Sequence, residues 1–515
     1  MTDQTRHQRG WIFRRPLVPA VVLTGSLVVA SAAGAAEWRR FLGPQGNSIS
    51  PDSTQVPETW SDNENVKWKA DLPGQGVSSP IVVAGKVFVT SYSGYGTGGE
   101  DEKIEDLKRH LSCYDAVTGD LLWSKTIDAV QPEDPYSGMG VPAHGYASHT
   151  PTSDGKHVFA FFGKSGVIAF DLEGNEIWRN SVGTGSGQQR WGSASSPIVY
   201  QSDAQTLVIV NASDESESLF AFDAATGKEV WNTPAGDLAS TWSTPNLVKA
   251  ADRTDLVITV PGEVWGLNPE TGKLRWYSRG TTDNTASASP IVIDDVVVAV
   301  GGRSGEAVAV KAGGKGDVNE SHVVWDANIP CRFATPIHHD GHLYVFNSGV
   351  LSCYDAKTGE RVNQKRLAAS RGGGGNRGGG GRPGGGFGGP GGDRDRSDDR
   401  DRGGDGERDG GRGRGGFGGP GGGPGGGFGG RPGGGGGRGG FGDRRNQEYA
   451  TPVLADGKIY VVAPGGEVYV VGATPEMELR QTNTLTDDSG FSGSPAVSDG
   501  RLYLRSGSAL YCIAE

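Results

Sequence analysis

Six side chains suited to binding share one position in this sequence, because each stands shortly before a Ser-Pro or Thr-Pro dipeptide. Aromatic rings offer stacking faces, and an arginine offers a planar fork of hydrogen-bond donors. Such groups often dominate binding sites. The candidate ligand- or partner-binding residues are Trp191, Trp242, Arg332, Phe333, Tyr449 and Phe491. Brought together, they could hold a planar anionic ligand or a peptide.

Other polar residues stand close to this set in sequence. Arg190 comes directly before Trp191. Three residues of a long insertion precede another Thr-Pro dipeptide, namely His144, Tyr146 and His149. If these residues reach the same place in the fold, they add charge and hydrogen-bonding capacity to it.

Motifs that carry catalysis are absent from the sequence. It contains no Gly-x-Ser-x-Gly nucleophile elbow, no phosphate-binding P-loop and no His-Glu-x-x-His zinc motif. His338, His339 and His342 flank a predicted tight turn, and neighbouring residues of a strand point to opposite faces of a sheet. We interpret these histidines as part of a surface turn, and we predict neither catalytic nor metal-binding residues.

The four cysteines do not form a redox or haem-attachment motif. Cys113 and Cys353 occupy the same slot of a repeated Leu-Ser-Cys-Tyr-Asp sequence, and Cys512 fits that slot too, whereas Cys331 stands elsewhere. We predict that they pack as small hydrophobic residues. A disulfide in an oxidising compartment is the alternative that the sequence leaves open.

The elements that position these residues are internal repeats, which the Ser/Thr-Pro dipeptides mark. We call the Ser or Thr of each dipeptide an opener. The prolines of successive dipeptides are 43 to 48 residues apart, except for two longer gaps that contain insertions. The eight openers are Ser79, Thr150, Ser196, Thr244, Ser289, Thr335, Thr451 and Ser494.

Each repeat reads as four β-strands. An apolar strand, a tight turn such as Asp456-Gly457 and a second strand follow the opener. A third strand ends at an Asp-x-x-Thr-Gly turn, and a Trp marks a fourth strand, as at Trp123, Trp178, Trp231, Trp276 and Trp325. Four strands in about 45 residues are typical of a propeller blade.

The sequence therefore predicts an all-β fold, an eight-bladed β-propeller closed by an N-terminal strand. The last repeat lacks a Trp strand, and Trp68 belongs to a lone Trp strand that precedes the first opener. We expect this strand to complete blade eight and leave no open sheet edge. Seven blades, with one degenerate repeat, is the alternative.

In a propeller, equivalent positions of successive blades converge only near the central axis. We therefore expect the candidate binding residues to surround one mouth of the central channel, where the openers begin. The competing interpretation is that their aromatic rings simply plug the channel.

The repeated Asp-x-x-Thr-Gly-x-x-x-Trp pattern with Ser/Thr-Pro openers resembles the pyrroloquinoline-quinone-like (PQQ-like) propeller repeats. The opening segment, from Trp38 to Pro44, resembles the start of exported bacterial proteins of this family. The family includes quinoprotein dehydrogenases and also the cofactor-free propeller of the outer-membrane barrel-assembly machinery. Fold alone cannot choose between these activities.

We predict a binding or scaffold protein of the cell envelope without catalysis of its own and without a cofactor. The sequence has no adjacent Cys-Cys pair, no haem motif and no motif for a calcium–quinone site. Its partner would be an envelope protein or a small anionic or planar ligand. The alternative is a PQQ-dependent dehydrogenase, with PQQ and calcium, acting on alcohols or sugars.

Residues 371–443 form a Gly/Arg-rich insert of low complexity. Such a composition buries too little apolar surface to fold, so we predict a disordered loop within the propeller. Arg-Gly-Gly segments can bind single-stranded nucleic acid, but export argues against that role. An inert spacer and a loop that adheres to anionic surfaces both remain open.

The N-terminus predicts export. Residues 1–36 combine arginines, an apolar stretch and a small-residue cleavage site, which is typical of a signal peptide; an uncleaved anchor is the alternative. The mature propeller, residues 37–515, would be periplasmic or secreted. The formal net charge of −11 argues against a nucleic-acid partner.

Overall fold

A computed structural model describes residues 37–51, 53–137, 141–367 and 448–515 of the chain. The predicted signal peptide and the Gly/Arg-rich insert lie outside these residues. The described part is built almost wholly from β-strands arranged as eight four-stranded blades. No helix in these ranges is long and apolar enough to cross a membrane.

Each of the first four blades follows its opener directly. The strands are Ile81–Val83, Lys86–Ser93, Lys108–Asp115 and Leu121–Asp128 in blade 1; Thr152–Ser153, His157–Phe161, Val167–Asp171 and Glu176–Asn180 in blade 2; Ile198–Gln201, Thr206–Ala212, Ser218–Asp223 and Glu229–Pro234 in blade 3; and Asn246–Ala250, Arg253–Val260, Glu263–Leu267 and Leu274–Arg279 in blade 4.

The four blades of the second half of the ring repeat this order. The strands are Ile291–Ile293, Val296–Val300, Glu306–Lys311 and Val323–Asn328 in blade 5; Ile337–His339, His342–Asn347, Val350–Asp355 and Arg361–Arg366 in blade 6; Val453–Ala455, Lys458–Val462, Glu467–Gly472 and Leu479–Thr484 in blade 7; and Ala496–Ser498, Arg501–Arg505, Ala509–Ile513 and Val66–Asp71 in blade 8.

Short helical and strand segments lie between these strands, some within a blade and some between blades. They are the helices Val141–His144, Ser213–Ser216 and Asn319–His322, the 3-10 turns Ile104–Asp106, Gly163–Ser165 and Gly236–Leu238, and the strands Ile49–Ser50 and Gly316–Asp317, which extend blades 7 and 4.

The two ends of the chain meet in blade 8, as the sequence predicts. Strand Val66–Asp71 pairs antiparallel with Ala509–Ile513 and places Trp68 opposite Cys512. The eight-bladed prediction is confirmed, and the seven-bladed alternative is wrong.

The openers form a closed ring of hydrogen bonds around the axis. The backbone N–H of each opener donates to the hydroxyl oxygen of the opener in the next blade. The bonds run from Ser79 to Thr150, then to Ser196, Thr244, Ser289, Thr335, Thr451 and Ser494, and from Ser494 back to Ser79, over 2.9 to 3.2 Å.

This ring explains why a Ser or Thr precedes each proline. The following proline restricts the opener to extended backbone, so that its side chain keeps one orientation. The hydroxyl then accepts the buried N–H of the preceding blade, which would otherwise have no partner. The repeat motif therefore encodes the contact between blades as well as the start of a strand.

A second contact between blades joins the outer strands. The indole N–H of a Trp donates to a backbone carbonyl in or beside the outer turn of the next blade. The pairs are Trp68 with Ala116, Trp123 with Leu172, Trp178 with Ala224, Trp231 with Pro269 and Trp325 with Ala356, at 2.9 to 3.3 Å.

The glycine of the Asp-x-x-Thr-Gly turn makes room for this Trp. Gly119 has a φ of +76°, and a Cβ there would lie 2.5 Å from the ring of Trp68. Its Asp115 carboxylate accepts the N–H groups of Val117 and Thr118, both at 2.8 Å, and so fixes the turn. The motif residues thus shape a seat for the preceding blade.

Trp276 departs from this pattern. Blade 5 lacks the Asp-x-x-Thr-Gly turn, and Trp276 instead donates its N–H to Asp255 within its own blade, at 2.8 Å. Asp255 is fully buried and pairs with Arg253 and Arg275, at 3.0 and 2.5 Å. The added strand Gly316–Asp317 then covers the outer edge of blade 4.

An N-terminal strap, residues 38–50, crosses the end of the channel that the first strands reach after their openers. Trp38 bridges to Val82 of blade 1, and Arg40 donates to the Asn246 side chain of blade 4 at 3.2 Å. Strand Ile49–Ser50 then pairs parallel with Val453–Ala455 of blade 7. The strap therefore links blades 1, 4 and 7, which are not neighbours in the ring except through other blades.

We predict that replacing the hydroxyl of one opener destabilises the whole propeller. Thr244→Val removes the acceptor of the Ser196 N–H and leaves a buried donor unpaired, which costs about 1–3 kcal/mol. Thr244→Ser keeps the hydroxyl and serves as the control. Urea unfolding should give a lower midpoint for T244V than for T244S, and equal midpoints would contradict the role of the ring.

The Trp seat gives a second prediction. Gly119→Ala should lower the melting temperature clearly more than Gly457→Ala. Both glycines have a positive φ, but a Cβ at Gly457 meets nothing within 4 Å, whereas one at Gly119 meets Trp68. The difference between the two variants isolates the ring contact from backbone strain, and similar melting temperatures would refute that contact.

Candidate functional site

A cavity of about 270 Å³ lies on the axis at the end where the openers begin. We call it the mouth cavity. Seven of the eight openers line it, so its wall is a belt of hydroxyl groups. Phe41 of the strap also lines it, and the strap thus contributes to its far end.

Five of the six candidate binding residues line the mouth cavity together. They form two aromatic pairs and one charged contact. The rings of Trp191 and Trp242 stack with centroids 5.3 Å apart at 23°, and those of Phe333 and Tyr449 lie 4.5 Å apart at 34°. The Arg332 guanidinium lies 5.0 Å from the centroid of the Phe333 ring.

Phe491 does not join this group, and its assignment to the mouth requires correction. Its side chain is only 1% exposed and packs in the core near Tyr511, with ring centroids 5.9 Å apart. The residues that line the cavity from this connection are Ser492 and Ser494. Phe491 belongs instead to a buried hydrophobic cluster that residues of blades 7, 8 and 1 share.

The other sequence candidates divide between two places. His144 lines the mouth cavity, whereas Tyr146 and His149 line a second, smaller cavity of about 30 Å³. Arg190 is exposed and is not among the residues that line either cavity. His339 and His342 pair across the hairpin of blade 6, which agrees with the surface-turn interpretation.

Carboxylates near the mouth hold the backbone that carries its side chains. Asp283 accepts the N–H groups of Arg303 and Ser304, at 3.2 and 2.9 Å, and fixes the loop from which Arg303 reaches the cavity. Glu448 accepts the N–H groups of Ser348 and Gly349 and so anchors the chain directly before Tyr449.

A third carboxylate holds Trp242. The indole N–H of Trp242 donates to Asp214 at 3.0 Å and to the carbonyl of Gly192 at 2.9 Å. Asp214 and Gly192 both line the smaller cavity, so Trp242 stands between the two cavities. We call the smaller one the rear cavity.

The charged residues that line the mouth cavity are positive. Arg303 and Arg332 line it, and no Asp or Glu is among its lining residues. Burial lowers the pKa of His144, which is therefore neutral near pH 7. Two guanidinium groups beside aromatic faces can receive a planar anionic group through stacking and charge-assisted hydrogen bonds.

His144 is held in place rather than poised for proton transfer. Its Nε2 lies 2.7 Å from the carbonyl of Trp191 and therefore carries the proton, and its Nδ1 lies 2.6 Å from the Ser148 hydroxyl. The Ser148 hydroxyl is also 3.2 Å from the His144 carbonyl, as in a local turn of the backbone. These contacts connect neighbouring loops at the cavity rim.

Three parts of the site lie outside the positions that the repeat pattern singles out. Phe41 belongs to no repeat. Its one signal in the sequence is that it stands in an aromatic segment before the first repeat. Arg303 lies between the second and third strands of blade 5, in a loop far along the chain from any opener's preceding residues. Asp214 lies in the corresponding loop of blade 3.

The cysteines agree with the prediction of packing. All four are buried and unpaired. Burial raises the pKa of the Cys331 thiol to about 12, which leaves it protonated and unreactive. Within the described ranges, no three His, Cys, Asp or Glu side chains are arranged to hold a metal ion.

A family model described as outer membrane protein assembly factor BamB matches residues 45–190 and 110–365. These overlapping ranges cover more than half of the chain. No curated protein matches the sequence significantly.

Solved structures align with this chain at low sequence identity. The europium-containing methanol dehydrogenase aligns over 93% of this chain and 98% of its own, with 12% identity and a TM-score of 0.55. The quinohemoprotein alcohol dehydrogenase from Comamonas testosteroni aligns over 93% and 80%, with 11% identity and a TM-score of 0.56. BamB from Moraxella catarrhalis aligns over 86% and 95%, with 13% identity and a TM-score of 0.48.

Proposed function

The chain belongs to the PQQ-like propeller family described as outer membrane protein assembly factor BamB, and we propose that it is a non-catalytic binding or scaffold protein of the cell envelope. In this proposal, the mouth cavity binds a planar anionic group, carried by a small ligand or by a partner protein. Export through the N-terminal signal peptide would deliver it to the periplasm or beyond.

One observation carries the proposal. Two aromatic pairs, two arginines and a belt of hydroxyl groups converge on a cavity of about 270 Å³ whose lining includes no carboxylate. Aromatic faces and arginines are the groups that most often anchor a partner in a desolvated pocket. A channel that was only plugged by its rings would not need such a cavity between them.

The groups in the cavity support binding rather than chemistry. The hydroxyls of the openers already accept hydrogen bonds from backbone N–H groups, and His144 is fixed by Trp191 and Ser148. The lining thus offers stacking and donors, but no activated nucleophile beside a free base.

The residues of the mouth fit PQQ only in part. Its planar, anionic rings suit the aromatic faces and arginines, but calcium requires oxygen ligands, and carboxylates are absent from the cavity lining. A calcium–quinone pair therefore does not fit this site. The two dehydrogenase structures share the fold alone.

We predict that the protein binds 2-naphthoate more tightly than the uncharged 2-naphthalenemethanol. A naphthylmethylammonium cation should bind the least tightly of the three. Arg332→Gln combined with Arg303→Gln should weaken naphthoate binding about tenfold or more, because each charge-assisted hydrogen bond contributes about 1.5–3 kcal/mol. Isothermal titration calorimetry on the mature chain measures this directly.

Arg190→Gln is the matched control. Arg190 precedes Trp191 as Arg332 precedes Phe333, yet it does not line the cavity. Deletion of residues 371–443 tests the insert as the competing site. Loss of naphthoate binding in the deletion variant, with full binding retained by the arginine double variant, would contradict the assignment to the mouth cavity.

A separate assay tests the absence of catalysis. The purified protein, mixed with PQQ and calcium, should not reduce a redox dye in the presence of alcohols or sugars. Turnover well above that of an Arg332→Gln variant would overturn the non-catalytic proposal in favour of a quinoprotein dehydrogenase.

A further inference from the structure

The rear cavity lies directly behind one wall of the mouth cavity. It has a volume of about 30 Å³, which is room for one or two water molecules. Trp242 separates the two cavities, since it lines the mouth cavity and donates its N–H to Asp214 of the rear cavity.

The rear cavity holds more acids than bases. Four carboxylates reach it: Glu133 and Asp134 from the connection between blades 1 and 2, and Asp214 and Glu215 from the helix Ser213–Ser216. Two cations reach it as well, and each faces one of the first two acids. Arg109 pairs with Glu133 at 2.6 Å, and Lys164 pairs with Asp134 at 3.3 Å.

The remaining two acids, Asp214 and Glu215, have no cation of their own among these groups. Both are buried, with 6% and 5% of their surface exposed. One Glu215 oxygen accepts the hydroxyl proton of Ser193, but its other oxygen, Oε2, has no hydrogen-bond partner among the described residues. A buried carboxylate in this state is costly unless a proton or a cation neutralises it.

The histidine of the rear cavity does not supply the missing positive charge. His149 Nε2 lies 3.0 Å from the Ser193 hydroxyl, whose proton goes to Glu215. Burial and the nearby Arg109 lower the pKa of His149 to about 3, so it is neutral near pH 7. Its Nδ1 is also buried and without a partner among the described residues.

Burial places the titration of the two acids near neutral pH. It raises the pKa of Asp214 to about 7 and, together with the charge of Asp214, raises the pKa of Glu215 to about 8. The other ionisable groups that face the pair are Arg109 with Glu133 and Lys164 with Asp134, which form the two ion pairs described above, and the neutral His149. We therefore assign proton binding near neutral pH to Asp214 and Glu215.

We infer that Asp214 and Glu215 form a buried proton-binding pair that controls anion binding at the mouth cavity through Trp242. The inference rests on the proposed function of that cavity. With protons bound, the pair is neutral and the positive potential of Arg303 and Arg332 acts undiminished. When the pair has lost its protons, its negative charge lies behind the indole ring of Trp242 and opposes the binding of an anionic ligand.

Thermodynamic linkage fixes the sign of the effect. Because ionisation of the pair weakens anion binding, anion binding must favour uptake of protons by the pair. Naphthoate affinity should fall by about threefold or more from pH 6 to pH 9. Binding near pH 7.5 should also take up protons, which calorimetry detects by comparing two buffers of different ionisation enthalpy.

Glu215→Gln should reduce the pH dependence and the proton uptake while retaining naphthoate binding, and adding Asp214→Asn should remove most of the pH dependence that remains. Glu176→Gln, on an outer strand, is the control and should behave as the wild type. Uncharged 2-naphthalenemethanol should bind with little change over the same pH range. Naphthoate binding that does not change with pH in the wild type would overturn the inference and leave the proposed function standing.

The stability of the protein tests the proton-binding pair without any ligand. A carboxylate whose pKa is raised by folding stabilises the folded state most at low pH, and this advantage falls as pH rises towards the raised pKa. The melting temperature of Glu215→Gln relative to the wild type should therefore rise from pH 5 to pH 9. A constant difference would refute the proton-binding pair, and failure of naphthoate to bind at any pH would refute both proposals.

Discussion

Eight hydrogen bonds between the openers run around the axis as a closed cycle, and the rest of the propeller is arranged about them. A blade of four strands cannot bury both faces of its sheet alone, so it depends on its neighbours. The cycle joins each first strand to the next at a buried position. Its last bond, from Ser494 to Ser79, spans the point where the two ends of the chain meet. A net contribution of about 1 kcal/mol for each bond makes the cycle a substantial part of a marginal stability.

The same cycle also shapes the mouth cavity. The hydroxyls that accept these bonds face the axis and form the belt around the cavity, while the residues just before the openers turn outward to form its rim. The same openers therefore join the blades and line the mouth cavity. Asp283, Glu448 and Asp214 complete the arrangement, because each uses its carboxylate to hold a loop or ring at the rim. The negative charges are kept behind the surface, and the arginines are left facing the cavity.

The fold could be predicted from the sequence because the residues of the repeat motifs themselves form the contacts between blades. The opener hydroxyls, the Trp of the fourth strand and the glycine of the outer turn each contact a neighbouring blade, so their repetition predicted both the blade count and the closure by Trp68.

The candidate binding site was harder to predict from the sequence than the fold. Trp191, Trp242, Phe333 and Tyr449 could be found by their position before an opener, but the same rule wrongly placed Phe491 at the mouth. A rule of position cannot tell which way a ring turns when core and cavity lie on either side of the chain. Arg303, Asp214 and Phe41 come from other loops, and only the fold brings them to the axis.

The central claim is that the mouth cavity receives a planar anionic group between its aromatic pairs. The most direct measurement is a crystal structure of the mature protein with 2-naphthoate bound. The account predicts the naphthalene ring within the mouth cavity, against Trp242 or Phe333, and its carboxylate within hydrogen-bond distance of Arg332 or Arg303. Naphthoate bound at another surface, with the mouth cavity filled only by water, would contradict it.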